Sequence, residues 1–173
     1  CEKISSLKSE FDAVDFAMNY TSPFVKDVLK KYEKFDEIVL LPLYPHHSQT
    51  TITSSLADFK KAKEQLNFKA KISLCKPFYD DDAYNKIIIS HIRDAIKDTD
   101  ISDVSLIFSA HSLPRKIIEK GAIYEKHINE HVQILGKMLK EQGLNFKDVS
   151  LAYQSRLGPV KWLEPSLNEA LAK

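Results

Sequence analysis

The sequence predicts an α/β fold in which helices surround a mainly parallel sheet. Short apolar runs of strand length alternate with amphipathic segments of helix length along most of the chain. Continuous apolar runs are typical of strands buried on both faces, and the intervening segments are long enough to form crossover helices. No long linker rich in glycine and serine interrupts the alternation. We therefore expect two successive α/β halves joined by a short connection.

The predicted strands are short apolar runs bounded by charged or turn-forming residues, as expected for strands inside a sheet. The sheet pattern restarts near residue 80, so we expect a first domain over residues 1–80 and a second over residues 81–173. The predicted strands are 13–18, the weakest of the set, 37–43, 71–77, 103–109 and 148–153.

The predicted helices carry apolar residues at spacings of three and four. Acidic residues 80–82 precede one of them, where carboxylates favour the positive end of the helix dipole, so we interpret this run as capping rather than as a cation site. A doubly wound sheet should continue with a strand after the last helix, and the chain has no initiator Met, so we expect an excerpt that is incomplete at both ends. The predicted helices are 23–32, 51–66, 81–96, 124–139 and 162–173.

The composition excludes several functional classes. The chain has 25 Lys and Arg against 24 Asp and Glu, which gives no electrostatic case for nucleic acid as the main partner. Its apolar runs are too short to span a bilayer, and with four glycines it has no phosphate-binding loop motif. Cys1 and Cys75 lie far apart, so neither a disulfide framework nor a thiolate zinc site is expected. A cytoplasmic location fits this cysteine usage best.

Polar side chains follow three of the predicted strands. His111 comes just after the run 103–109, in the segment FSAHSLP, where the apolar run ends abruptly. Because the carboxyl ends of parallel strands open on one edge of a sheet, side chains at these ends can meet there. A neutral imidazole at such an edge can accept a proton or bind a divalent metal ion. The other polar residues in these positions are Tyr44, His46 and His47 after the run 37–43, and Ser155 and Arg156 after the run 148–153.

The remaining candidates are weaker. His46 and His47 are adjacent, so at most one of them is expected to point into a site. His127 and His131 have a spacing that can hold a metal, but they lack the H-E-x-x-H pattern and lie in an ordinary amphipathic helix. We therefore predict that both are on a solvated helix face. Ser112 is typical of a capped helix start. It is a poor candidate for a nucleophile with its neighbour His111 as the base, because no G-x-S-x-G motif is present.

Four ordered motifs give the chain a resemblance to the ferrochelatase family, whose members insert ferrous iron into protoporphyrin IX in haem synthesis. FSAHSLP matches the family signature around an essential histidine, and PLYPHHSQTT resembles P-L-Y-P-x-x-S. AMNYTSP is similar to A-M-x-Y-x-x-P, and YQSRLGPVKWLEP to [YW]-Q-S-[KR]-x-G-P-x-x-W-L-x-P. Four motifs in the right order across most of the chain are more specific than any one alone.

The resemblance implies a chelatase-like fold of two Rossmann-like domains with the porphyrin in a cleft between them. It implies that His111 is catalytic, contacting the metal or accepting a pyrrole proton, and that His46 is an outer metal contact. Protoporphyrin IX and Fe²⁺ are the implied partners; Fe²⁺ is a substrate, so no cofactor is expected. A monomer is favoured, and peripheral membrane contact stays open. Residues implied to shape the porphyrin cleft are Tyr44, Ser155, Arg156 and Trp162.

The chain also departs from the family pattern. Nothing matches the N-terminal strand and porphyrin-binding loop, no glutamate segment follows Trp162, and Ala122 replaces the acid of the G-D-x-Y motif. We therefore expect the parent protein to be a protoporphyrin ferrochelatase and these 173 residues alone to be inactive. Two alternatives stay open: a cobalt or nickel chelatase of the same fold that acts on another tetrapyrrole, and a non-catalytic tetrapyrrole-binding module.

Overall fold

The computed structural model describes residues 10–172 and divides the chain into two compact units. The first unit comprises Cys1–Leu43 and Gln49–Lys76, and the second comprises Tyr44–Ser48 and Pro77–Lys173. Each unit contains a two-stranded parallel sheet together with helices. The predicted α/β class with parallel strands is confirmed, whereas the predicted domain division near residue 80 stays a prediction.

The first unit is built on strands β1 (Glu37–Leu40) and β2 (Lys71–Leu74), which pair in parallel. Helix α1 (Val25–Lys30) precedes β1, and a π-helical turn (Gln49–Thr53) leads into helix α2 (Ser54–Gln65) between the strands. The apolar sides of the two helices form the core with the segment that enters β2. The buried members of this core are Leu29, Phe59, Ala62, Phe68 and Ala70.

The second unit is built on the longer strands β3 (Ser105–His111) and β4 (Asp148–Gln154), paired in parallel over their whole length. One cluster of buried residues, Ile89, Leu135 and Leu139, joins two of its helices, and another surrounds the fully buried Leu163. The helices are α3 (Asp82–Ala95), α4 (Arg115–Glu119), α5 (Tyr124–Glu141) and α6 (Leu167–Leu171).

Side-chain caps begin two of these helices. The Asp81 carboxylate accepts the Tyr84 backbone N–H at 2.8 Å, which confirms that the acidic run caps α3. Ser166 and Glu169 form a capping box at the start of α6. Such caps satisfy N–H groups that have no partner within the helix.

Three expectations about the elements are wrong. Residues 13–18 form no strand among the described residues; Met18 makes only an isolated bridge to Phe24, and most of the segment is exposed rather than covered by a neighbouring strand. The first strand ends at Leu40, because Pro42 has no N–H to continue a ladder. The final helix begins at Leu167, because residues 162–166 are extended along other backbone segments.

Candidate functional site

His111 is the last residue of β3 and lies opposite Gln154, the last residue of β4. The strand begins and ends two residues later than the sequence pattern indicates, so it carries His111 to the edge of the sheet. The His111 side chain is exposed there, while Ser112 and Leu113 turn into the interior. This arrangement presents an imidazole to solvent from a rigid backbone position.

The backbone on either side of His111 is held from several directions. The Ser112 N–H donates to the Gln154 carbonyl at 2.8 Å, and the Tyr124 hydroxyl donates to the His111 carbonyl at 3.0 Å. Ser112 is 0% exposed, and its hydroxyl lies 3.5 Å from the Leu163 carbonyl. The predicted capping role of Ser112 is therefore wrong: the N-cap of α4 is Pro114, and Ser112 is an internal support of the loop.

The segment that follows β4 runs back along the His111 loop. Trp162 makes an antiparallel bridge to Pro114, and the Leu163 N–H donates to the Leu113 carbonyl at 3.1 Å. We call residues 161–165 the strap. Its backbone pairing brings Trp162 beside the loop that carries His111, although the two are far apart in sequence.

Ser155 and Arg156 lie between β4 and the strap. Ser155 is exposed and has a φ of 66°, a left-handed conformation that is uncommon for residues other than glycine. The Arg156 guanidinium donates to the Leu163 carbonyl and lies 3.9 Å from the Glu169 carboxylate. The Nε of Arg156 and the indole N–H of Trp162 are buried donors with no partner among residues 10–172.

His46 belongs to a second group of side chains in the same unit. Its Nε2 lies 2.8 Å from Nδ1 of His131, and Nε2 of His131 lies 2.8 Å from Oδ1 of Asn85. The Asn85 amide in turn donates to the Tyr79 carbonyl at 3.0 Å. The prediction that His131 is on a solvated face is wrong: it is 6% exposed, because the loop carrying His46 and helix α3 cover this part of α5.

Aromatic rings and a second histidine hold the His46 loop. Tyr79 stacks on His46 with ring centroids 5.7 Å apart, and Tyr124 meets it edge-on at 6.3 Å. The backbone N–H of His47 donates to Nδ1 of His127 at 3.2 Å, and His127 is half-buried, so the predicted solvated face is partly covered at this residue as well. Tyr44 lies in the same loop with its ring exposed.

Burial keeps these imidazoles neutral. Desolvation, reinforced by the neighbouring His131 and His127, lowers the pKa of His46 to about 4. Burial also lowers the pKa of His131. A hydrogen bond to the Glu130 carboxylate, assisted by desolvation, raises the pKa of Tyr79 to about 12, so its hydroxyl stays protonated as a donor. At neutral pH the group is a set of uncharged donors and acceptors.

Sequence reasoning missed three residues of this arrangement. Asn85 is a polar residue on the apolar side of α3 near Ile88 and Ile89, and that mismatch was the available signal. Tyr124 and His131 both lie on α5 and face the same neighbours, which the helical spacing of the two positions could have indicated. Within the described range 10–172, no three histidine, cysteine or acidic side chains are grouped so as to hold a metal ion.

A sequence model of the ferrochelatase family matches residues 2–173. The chain belongs to the ferrochelatase family. It is 95% identical over 173 residues to the ferrochelatase of Campylobacter concisus (strain 13826), covering 100% of this chain and 55% of that protein. It is 56% identical over 158 residues to the ferrochelatase of Campylobacter fetus subsp. fetus (strain 82-40), covering 91% and 50%. The chain thus spans about half the length of the curated ferrochelatases it matches.

The fold of this chain is shared with a solved structure described as SirB from Bacillus subtilis with Fe³⁺. The TM-score is 0.67 at 11% identity, and the match covers 98% of this chain and 61% of SirB. This likeness shows the fold, and it confirms the predicted chelatase-like class. In the described part of the chain, no helix is both long and apolar enough to cross a membrane.

Proposed function

We propose that this chain is the part of a protoporphyrin ferrochelatase that carries the catalytic histidine. This enzyme inserts Fe²⁺ into protoporphyrin IX to form protohaem. The observation that carries the proposal is His111, an exposed residue at the end of a parallel strand in a chain of the ferrochelatase family. Fe²⁺ is a substrate in this reaction, and we propose no resident cofactor.

The chemistry needs a group that exchanges a proton or a metal bond without moving. Insertion removes two pyrrole N–H protons and strips water from Fe²⁺. A neutral imidazole can accept a proton or act as a nitrogen ligand for a divalent first-row metal. The ladder to β4 and the Tyr124 hydroxyl hold the His111 backbone, so the side chain starts from a defined position.

Four residues around this edge are proposed to contact the porphyrin. Tyr44 and Ser155 are exposed, whereas Arg156 and Trp162 carry buried N–H donors that lack a partner among the described residues. His46 is proposed as an outer metal contact that receives iron before insertion. We also propose that the protein acts as a monomer in the cytoplasm, a location supported by the unpaired spacing of Cys1 and Cys75.

The experiment uses the full-length Campylobacter concisus relative with this chain in place of its matching segment. Iron insertion is followed by the conversion of protoporphyrin absorbance to that of protohaem. His111→Ala is expected to lower kcat by at least about 100-fold, the range for a lost acid–base group, with porphyrin binding retained. His91→Ala, at an exposed position of α3, is the matched control and should leave kcat unchanged.

Two results would count against the proposal. Unchanged turnover of His111→Ala would remove His111 from the reaction. Tight binding of sirohydrochlorin with no binding of protoporphyrin, in a spectroscopic titration of the unsubstituted protein, would favour a chelatase for another tetrapyrrole. The 173 residues tested alone are expected to be inactive.

A further inference from the structure

We infer that Asn85 and His131 are positioning residues that fix the tautomer of His46 and leave its Nδ1 as the lone-pair nitrogen. The inference concerns which nitrogen of His46 carries the proton. Its consequence for iron handling rests on the proposed function, whereas the tautomer itself does not.

The orientation of the Asn85 amide is the first step. Its Nδ2 lies 3.0 Å from the Tyr79 carbonyl oxygen, which can only accept a hydrogen bond, so the NH₂ group must point to Tyr79. The amide oxygen, Oδ1, is therefore the atom that faces His131. Asn85 is 0% exposed, so water cannot substitute for either partner.

The proton positions on the two imidazoles follow from this orientation. Because Oδ1 of Asn85 accepts, Nε2 of His131, 2.8 Å away, must carry a proton. His131 is 6% exposed and its hydrogen-bond partners are His46 and the Asn85 amide, neither of which is a carboxylate, so a second proton on its ring would be a buried, unpaired charge. Its Nδ1 therefore has a lone pair and accepts from His46. Nε2 of His46, 2.8 Å from that lone pair, must then be the donor. A neutral His46 protonated on Nε2 has an unprotonated Nδ1.

The position of His46 gives this tautomer a use. No hydrogen bond among the described residues engages Nδ1 of His46, and the residue is only half-buried. Tyr79 stacks on its ring and Tyr124 meets it edge-on, and the Tyr124 hydroxyl also binds the His111 carbonyl. His46 therefore lies near the carboxyl end of β3, and its Nδ1 is the nitrogen whose lone pair can bind a divalent cation or a proton.

An apolar residue at position 85 would satisfy the core without this chain of hydrogen bonds. Asn85 lies on the face of α3 that carries the buried Ile89, where a buried amide costs free energy unless every partner is in place. At metal-binding histidines, a hydrogen bond to one ring nitrogen commonly sets which nitrogen is free for the metal. The buried asparagine is thus explained by orientation rather than by packing.

The test measures the tautomer directly in the full-length Campylobacter concisus relative that carries this chain. Histidine-selective ¹⁵N labelling and long-range ¹H–¹⁵N correlation spectra report which nitrogen of each imidazole is protonated. In the unsubstituted protein, His46 should be protonated on Nε2. Asn85→Leu removes the acceptor for His131, so the form of His46 protonated on Nδ1 should rise roughly tenfold, the scale set by one lost buried hydrogen bond.

Matched variants separate positioning from folding. Asn129→Leu changes an asparagine that binds a carbonyl on the exposed side of α5, and it should leave the His46 tautomer unchanged. His131→Leu should act like Asn85→Leu, while His131→Asn should restore the tautomer because its amide oxygen can replace Nδ1 as acceptor. Restoration by His131→Asn keeps the test decisive if Asn85→Leu unfolds the protein.

A kinetic readout connects the tautomer to iron. Asn85→Leu should raise the KM for Fe²⁺ about tenfold with kcat within about twofold, the signature of weakened binding rather than weakened chemistry. The inference is overturned if His46 is protonated on Nδ1 in the unsubstituted protein, or if His131→Leu leaves its tautomer unchanged. A tautomer that shifts as expected in a protein that never inserts iron would instead contradict the proposed function alone.

Discussion

The two histidines implicated here are held in opposite ways. His111 is positioned through its backbone, by the ladder to β4 and by the strap, while its side chain is exposed. His46 lies in a loop and is positioned through its side chain, by His131 and the rings around it. Backbone placement leaves an imidazole free to react and to rotate, whereas side-chain placement selects one nitrogen. Substitutions in the two regions should therefore have different consequences.

Shortening the Leu163 side chain of the strap should have the largest effect on stability. Leu163 is 0% exposed and packs with Leu113, Ile128 and Tyr153 beneath the His111 loop. Leu163→Ala should lower the free energy of unfolding by about 3 kcal/mol, the central cost of such a cavity. Urea unfolding followed by circular dichroism measures this change.

The control for this substitution is Leu171→Ala on α6, at a position 68% exposed, where the change should stay within about 0.5 kcal/mol. Equal destabilisation by the two alanine substitutions would show that the strap does not hold the His111 loop. His111 would then not be positioned by the strap.

These contrasts explain what the sequence could and could not predict. His111 was predictable because the end of an apolar run marks the edge of a parallel sheet, and that rule is local. The relay from Asn85 through His131 to His46 was not, because it joins three segments that no local pattern relates. The amphipathic helix predicts a solvated His131, whereas the 44–48 loop and helix α3 pack over this residue and bury it.

Boundary errors had local physical causes. Prolines 42 and 77 ended strands earlier than hydrophobicity indicated, since neither residue can donate to a ladder. The strap shows no strand-like alternation of polar and apolar residues, because Trp162 and Leu163 are adjacent, so the sequence pattern does not separate it from the helix that follows. Its pairing with the His111 loop is a long-range contact.

Lowering the pH should reduce the free energy of unfolding by an intermediate amount, because His46 is held neutral in the folded protein. The folded-state pKa of His46 is about 4, below the ordinary value of 6.5, so the unfolded chain binds more protons as the pH falls through this window. The contribution of neutral His46 to the free energy of unfolding is complete above pH 6.5 and is lost as the pH falls towards about 4. From about pH 7 to about pH 5, this residue should contribute a loss of about 1 kcal/mol, a figure reduced for its partial exposure.

The measurement is the free energy of unfolding of metal-free protein at the two pH values. His46→Gln, whose amide does not titrate, should show a smaller decrease than the unsubstituted protein. An identical decrease in both would mean that His46 is not held neutral by its surroundings. His46 would then not be held through its side chain in the way that these contacts indicate.

The smallest effect is expected at Tyr124, the residue that touches both regions. Its hydroxyl donates to the His111 carbonyl at 3.0 Å, and its ring meets His46 edge-on. Tyr124→Phe removes the first contact and keeps the second, so it should cost about 0.5–1 kcal/mol of stability and change the amide shifts of the His111 loop. The tautomer of His46 should not change.

Tyr84→Phe, whose hydroxyl has no hydrogen bond among the described residues, should leave both regions unaltered. If Tyr124→Phe instead shifted the His46 tautomer, the two histidines would be coupled through Tyr124, and their separate modes of support could not be treated as independent.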